Sequence, residues 1–158
     1  MIKPEPKPPL DDEDLRAIGA VTANFAALEQ LLHYLIWSLV GGDQRTGQII
    51  TTEYPFRSLP AVAFALVKHR ASAGPTVKKC EKLMKRIERL ELQRDQLTHS
   101  FCVKDKAREQ LVLAKASLRV GAGWSMSQQW MTLNEVNQLA DEIDEAGTEV
   151  LQLLVETT

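Results

Sequence analysis

The sequence predicts a mainly α fold: an up-and-down bundle of about four helices with a β-hairpin inserted before the last one. Three observations carry that expectation. Apolar residues recur at alternating steps of three and four over long segments, one segment switches to strict alternation, and glycine or proline falls where the patterns break.

Four prolines within the first nine residues, Pro4, Pro6, Pro8 and Pro9, predict a disordered tail over 1–10. The acidic group Asp11–Asp14 follows, with the sign that a helix N-terminus favours. Ile18, Val21, Phe25, Leu28, Leu32, Leu35 and Leu39 then predict a long first helix, stopped by Gly41-Gly42. From Asp43 to Arg57 the pattern is irregular, with a short helical turn over 48–52 and a break at Pro55. A second helix is expected from Ser58 to about His69, with Pro60 tolerated in its first turn. Ala73-Gly74-Pro75 interrupts the chain, and Thr76 is the expected cap of a third helix carrying Val77, Cys80, Met84, Ile87 and Leu90 on one stripe.

After His99 the period changes to two. Val112, Ala114, Ala116, Leu118 and Val120 alternate with their neighbours, Gly121-Ala122-Gly123 supplies a turn, and Trp124–Trp130 returns, giving a hairpin over about 110–131. Thr132-Leu133-Asn134-Glu135 has the spacing of a capping box and opens the last helix. Residues 11–158 are thus expected to form one domain, consistent with a length of 158 residues.

Composition narrows the class of protein. Hydrophobic residues at 44% and charged residues at 25% are globular values, not those of a disordered or fibrous chain. No apolar run approaches the roughly 20 residues of a membrane span, and the first residues lack a secretory pattern, so no membrane association and a cytoplasmic location are expected. Cys80 and Cys102 lack zinc-site spacing and are expected to be reduced packing residues.

The formal net charge is −2, yet the segment from Leu66 to Arg94 holds nine Lys/Arg against three Glu. Such a basic stretch in an acidic protein is either a polyanion-binding surface or a solvated helix face. Lys78, Lys79, Lys82, Lys85, Arg86 and Arg89 are the candidates for holding a polyanion such as RNA through its backbone.

Arg94 is out of place, because the stripe of the third helix puts it between Leu90 and Leu97 on the apolar side. A guanidinium there needs a partner or a wet groove, and Glu29, beside Phe25 and Leu32 on the first helix, is a candidate for a supporting ion pair. Arg94 and His99 are about 140° apart around a helix, whereas Asp95 and His99 are four residues apart and about 40° offset. Asp95 can therefore orient the imidazole. Two copies of the helix crossing at a two-fold axis would bring both arginines and both histidines into one cleft. That set suits metal-independent RNA cleavage, with an acid, a base and a cation for the charged phosphorane and no cofactor.

Arg94-Asp95 followed by His99 near the end of a bundle helix resembles the HEPN superfamily, with Asp95 where asparagine is most often found. Asn24-Phe25-Ala26-Ala27-Leu28-Glu29 also resembles the first helix of bacterial members. The resemblance spans about Leu15–Phe101 and the last helix. It implies a homodimeric endoribonuclease, often in a toxin–antitoxin or phage-defence system, with an antitoxin or other regulatory protein as partner. Arg94 and His99 are the implied catalytic pair, supported by Asp95. Some members of the superfamily only bind or scaffold. A non-catalytic helical interaction module, or a nucleotide-binding domain, is the alternative. His33, His69 and the tryptophans Trp37, Trp124 and Trp130 are expected to be structural or exposed, with no motif around them.

Overall fold

The computed structural model describes residues 10–41, 43–71, 73–119 and 123–157, with the backbone alone at 117–119 and 124. The proline tail, apart from Leu10, and the turn residues Gly121 and Ala122 lie outside the described residues, as does the Trp124 side chain. Among the described residues five α-helices and three strands follow in the order α1 (Asp12–Val40), α2 (Gln44–Thr51), a 3-10 turn (Phe56–Ser58), α3 (Leu59–Ala71), α4 (Pro75–Thr98), β1 (Phe101–Asp105), β2 (Gln110–Arg119), β3 (Gly123–Thr132) and α5 (Leu133–Thr157). The chain is mainly helical with the expected hairpin before the last helix.

The acidic start of α1 is a reciprocal cap. Asp11 accepts from the Asp14 amide at 2.9 Å, and Asp14 accepts from the Asp11 amide at 3.3 Å. The helix ends at Gly41, whose φ of 69° is left-handed and suits a residue without a Cβ. Its predicted stripe is buried from Val21 to Leu39. α2 is longer than the expected turn, because Asp43 caps it through the Thr46 amide. Its Gly47 and Thr51 lie against Trp37, whose indole N–H donates to the Thr51 hydroxyl at 2.9 Å. α4 is capped at Gly74, two residues before the expected Thr76, and opens on Pro75, since proline has no amide to leave unpaired at a helix start.

β1 is the element that periodicity missed. It pairs antiparallel with β2 from Phe101↔Ala114 to Asp105↔Gln110, and β2 pairs with β3 from Gln110↔Thr132 to Arg119↔Gly123. Five residues that include Lys104 and Asp105 are too short and too charged to announce a strand. One sheet face enters the core through Cys102, Leu111 and Leu113, while Phe101, Met126 and Trp130 on the other are exposed. Thr132 and Glu135 then cap α5 as expected.

Long-range contacts fix the directions. Asn24 donates to the Ala140 carbonyl at 3.0 Å and Leu31 lies beside Gly147, so α1 and α5 run parallel. Arg89 meets Glu142 while Lys79 meets Glu156, so α4 runs against α5. The chain from Asp43 to Pro55 carries α1 back to the start of α3, where Phe56 packs on Phe25 with ring centroids 4.3 Å apart. At that end of the bundle the sheet is tied to α1: the Lys104 ammonium contacts Asp11, and Asp14, 1% exposed, at 3.2 Å. Both thiols are reduced and buried, and burial pushes Cys80 up to about 11. Among the described residues no helix is long and apolar enough to cross a membrane.

Two stability predictions follow from these contacts. A Cβ at Gly47 would lie 2.4 Å from Trp37 Cγ, so Gly47→Ala should cost about 1–3 kcal/mol in denaturant unfolding, against no change if α2 is loosely held. The Lys104 contact holds Asp11 down to about 2 from its usual 3.8. The unfolded chain therefore takes up this proton first on acidification, so the contact stabilises the fold above about pH 4 and is lost as pH falls toward 2. Lys104→Met should flatten the fall of Tm over that window; an unchanged profile would remove the linkage.

Candidate functional site

α4 delivers Arg94, Asp95 and His99 to the end of the bundle that carries the sheet. Its last turn is closed by the Thr98 hydroxyl donating to the Arg94 carbonyl at 3.0 Å and by the His99 amide donating to the Asp95 carbonyl at 3.1 Å. His99 is the C-cap residue, and its side chain is 62% exposed.

Asp95 lies between Arg94 and His99. Its Oδ1 lies 2.9 Å from Arg94 and 3.8 Å from His99 Nε2, so the arginine and histidine are no farther apart than those two lengths together. The first is an ion-pair contact, and the second lies beyond hydrogen-bond reach. One protomer therefore associates Arg94 with His99 despite their angular separation, because a single carboxylate between them serves both.

Arg94 itself is 20% exposed. Its guanidinium carbon sits 3.9 Å from the centroid of the Phe25 ring, which is in turn packed on Phe56. A desolvated cation over an aromatic face contributes on the order of 2 kcal/mol, so the ring partly replaces the water that burial removes. The expected Glu29 partner does not take this role: the charge goes to Asp95, while Phe25, one turn before Glu29 on α1, covers the guanidinium. Arg94 Nε is buried without a hydrogen-bond partner, and His33 Nε2 is likewise unpartnered beside Trp37. Such groups carry a desolvation cost. Close by, burial raises the Glu91 carboxyl above its usual range, reinforced by Asp95 and opposed by Arg94 and Arg57.

The basic stretch is largely committed to internal pairs. Lys79 meets Glu156 at 2.7 Å, Lys85 meets Glu81 at 2.8 Å and Arg89 meets Glu142 at 3.3 Å. Arg86 binds Glu145 and Glu149, both at 2.7 Å, and the Glu142 carbonyl at 3.3 Å. Of the six candidate RNA-binding cations, only Lys78 and Lys82 have no ion pair among the described residues. Much of the charge excess read from α4 is thus answered by α5, which sequence reading could not pair with it because the partners are 53 to 77 residues away. Phe25 was legible only as a core residue, and nothing local signals its contact with Arg94.

No family model, curated protein or solved structure matches this chain. The site is therefore read from its own geometry. Trp37 is a core residue, and Trp130 lies under the Arg108 guanidinium at 4.5 Å. Among the described residues no group of three or more His, Cys, Asp or Glu side chains is placed to hold a metal ion.

The division of the cations is testable. Arg86, 23% exposed with three acceptors on α5, should lose about 1–3 kcal/mol of unfolding free energy as Arg86→Ala. Lys82→Ala should stay within about 0.5 kcal/mol of the parent protein. Equal losses in denaturant titration would show that Arg86 does not clamp α4 to α5.

Proposed function

We propose that this protein is a metal-independent endoribonuclease that works as a homodimer, with Arg94, Asp95 and His99 of two crossing α4 helices forming one site. The observation that carries the reading is the shared Asp95 oxygen, which associates a sheltered guanidinium with an exposed imidazole. The resemblance of these residues to the HEPN motif points the same way, and with it come an antitoxin or regulatory partner and a cytoplasmic setting.

The division of labour follows from the environments. His99 is exposed and can meet a substrate proton, removing it from the 2′-hydroxyl or supplying it to the leaving 5′-oxygen. The second His99 of the dimer performs the complementary transfer. Arg94, braced on Phe25, presents a fixed positive charge to the phosphorane oxygens. Asp95 orients both. With Lys79, Arg86 and Arg89 engaged by α5, RNA is held mainly by the site and its immediate rim, not along the α4 flank.

Incubation of a mixed RNA pool in EDTA with the wild-type protein and with folded His99→Ala tests this directly. Wild-type cleavage should exceed that of the variant by about 10²–10⁴-fold. Equal cleavage by the two proteins would remove His99 from the reaction, and no cleavage by either would favour the interaction-module reading.

A further inference from the structure

Four of the chain's ten glutamines, Gln93, Gln96, Gln129 and Gln138, collect around one surface groove beside His99. Gln96 and Ser100 of the α4 end face Ser127 and Gln129 of β3 across a cleft of about 270 Å³ that Leu113, Lys115 and Gln128 also line. A second cleft of the same volume continues from it, sharing Gln129 and adding Gln93 of α4 and Gln138 of α5. These residues come from three elements that the fold, not the sequence, brings together. Gln96 lies about 60° from His99 around α4, so the groove opens on the flank of the candidate site.

The chemistry of the lining is amide chemistry. Gln138 is engaged with Glu142 at 3.1 Å, whereas Gln93, Gln96 and Gln129 make no side-chain hydrogen bond among the described residues and keep their donors and acceptors for a ligand; Gln128 belongs to the other face of β3, with Met126 and Trp130. The two carboxylates of the second cleft are already in use: Glu135 accepts from the Thr132 cap and Glu142 from Arg89 and Gln138. The groove therefore presents paired neutral donors and acceptors, with Lys115 as the cation at its edge. Such a surface suits the edge of a base and not a phosphate.

We propose that this cleft binds one unpaired adenine base of the RNA next to the cleavage site. The choice of ligand class rests on the ribonuclease reading; the choice of base rests on the cleft. Adenine carries an amino group flanked by a ring acceptor on either side, so glutamines facing each other from α4 and β3 can each make a bidentate pair, one to each edge. Cytosine has one ring acceptor beside its amino group, and uracil and guanine present a carbonyl in that place. A cleft just below the volume typical of drug-sized ligands is matched to a single planar base.

The test uses His99→Ala protein, so that RNA is not consumed, and fluorescence anisotropy with labelled twelve-nucleotide oligo(A), oligo(C) and oligo(U). Oligo(A) should bind about tenfold more tightly than the other two. Adding Gln96→Ala and Gln129→Ala, both exposed positions, should erase the preference and leave oligo(U) affinity and Tm unchanged. Equal binding of the three RNAs, a preference that survives the glutamine changes, uniform weakening for all three, or no binding at all would each overturn the proposal. An intact adenine preference in a protein whose wild-type form does not cut RNA would instead sink the ribonuclease reading and leave the base site standing.

Discussion

A permanent positive charge occupies a position on α4 where the helix pattern calls for hydrocarbon, and much of the local structure is arranged around it. Arg94 cannot shed its proton, so burial to 20% exposure has to be met by other groups. Phe25 meets one face of the guanidinium and Asp95 meets an edge. The first of these requires α1 to lie against α4 at that level, and Phe56 behind the ring requires the 3-10 turn to return there. The second leaves Asp95 near the surface, within reach of His99. The geometry of the candidate site is thus a by-product of how a single buried cation is accommodated.

The same helix carries two kinds of positive charge. Arg86 and its neighbours face α5, where glutamates at 142, 145, 149 and 156 answer them, so that α4 and α5 are held in antiparallel register by ion pairs along their length. These pairs are mostly exposed, and each contributes little alone; Arg86, with three acceptors, is the exception. Specific pairing of one helix with one partner is a matter of register as much as of stability.

Legibility in the sequence followed the range of the interactions. The long helices α1, α4 and α5 were readable because each displays its core face at every third or fourth residue, and the caps at Asp11 and Thr132 because capping acts within one turn. Residues 94, 95 and 99 were readable for the same reason: Asp95 reaches its neighbour and its i+4 residue along a single helix. What failed to show was whatever needed the third dimension. β1 exists because β2 offers it a ladder, Lys104 is spoken for by aspartates 90 and 93 residues earlier, and Glu29 lost Arg94 to a closer carboxylate. The glutamine groove is invisible as a motif because its four amides lie on three separate elements.

The parallel contact of α1 with α5 bears on how the chain acquires its fold. Helix α3 and helix α4 are separated by only three residues and can meet early, since a short loop closes at little entropic cost. The α1–α5 seam joins residues 116 apart, as Asn24 and Ala140 show, and its reward arrives only after most of the intervening chain has been confined. Native topology of that kind slows the search for the transition state even in a helical protein, whose contacts are otherwise local. Until the seam closes, the apolar stripe of α1 remains open to water and to other chains, and the interval before closure is the protein's window of vulnerability to aggregation.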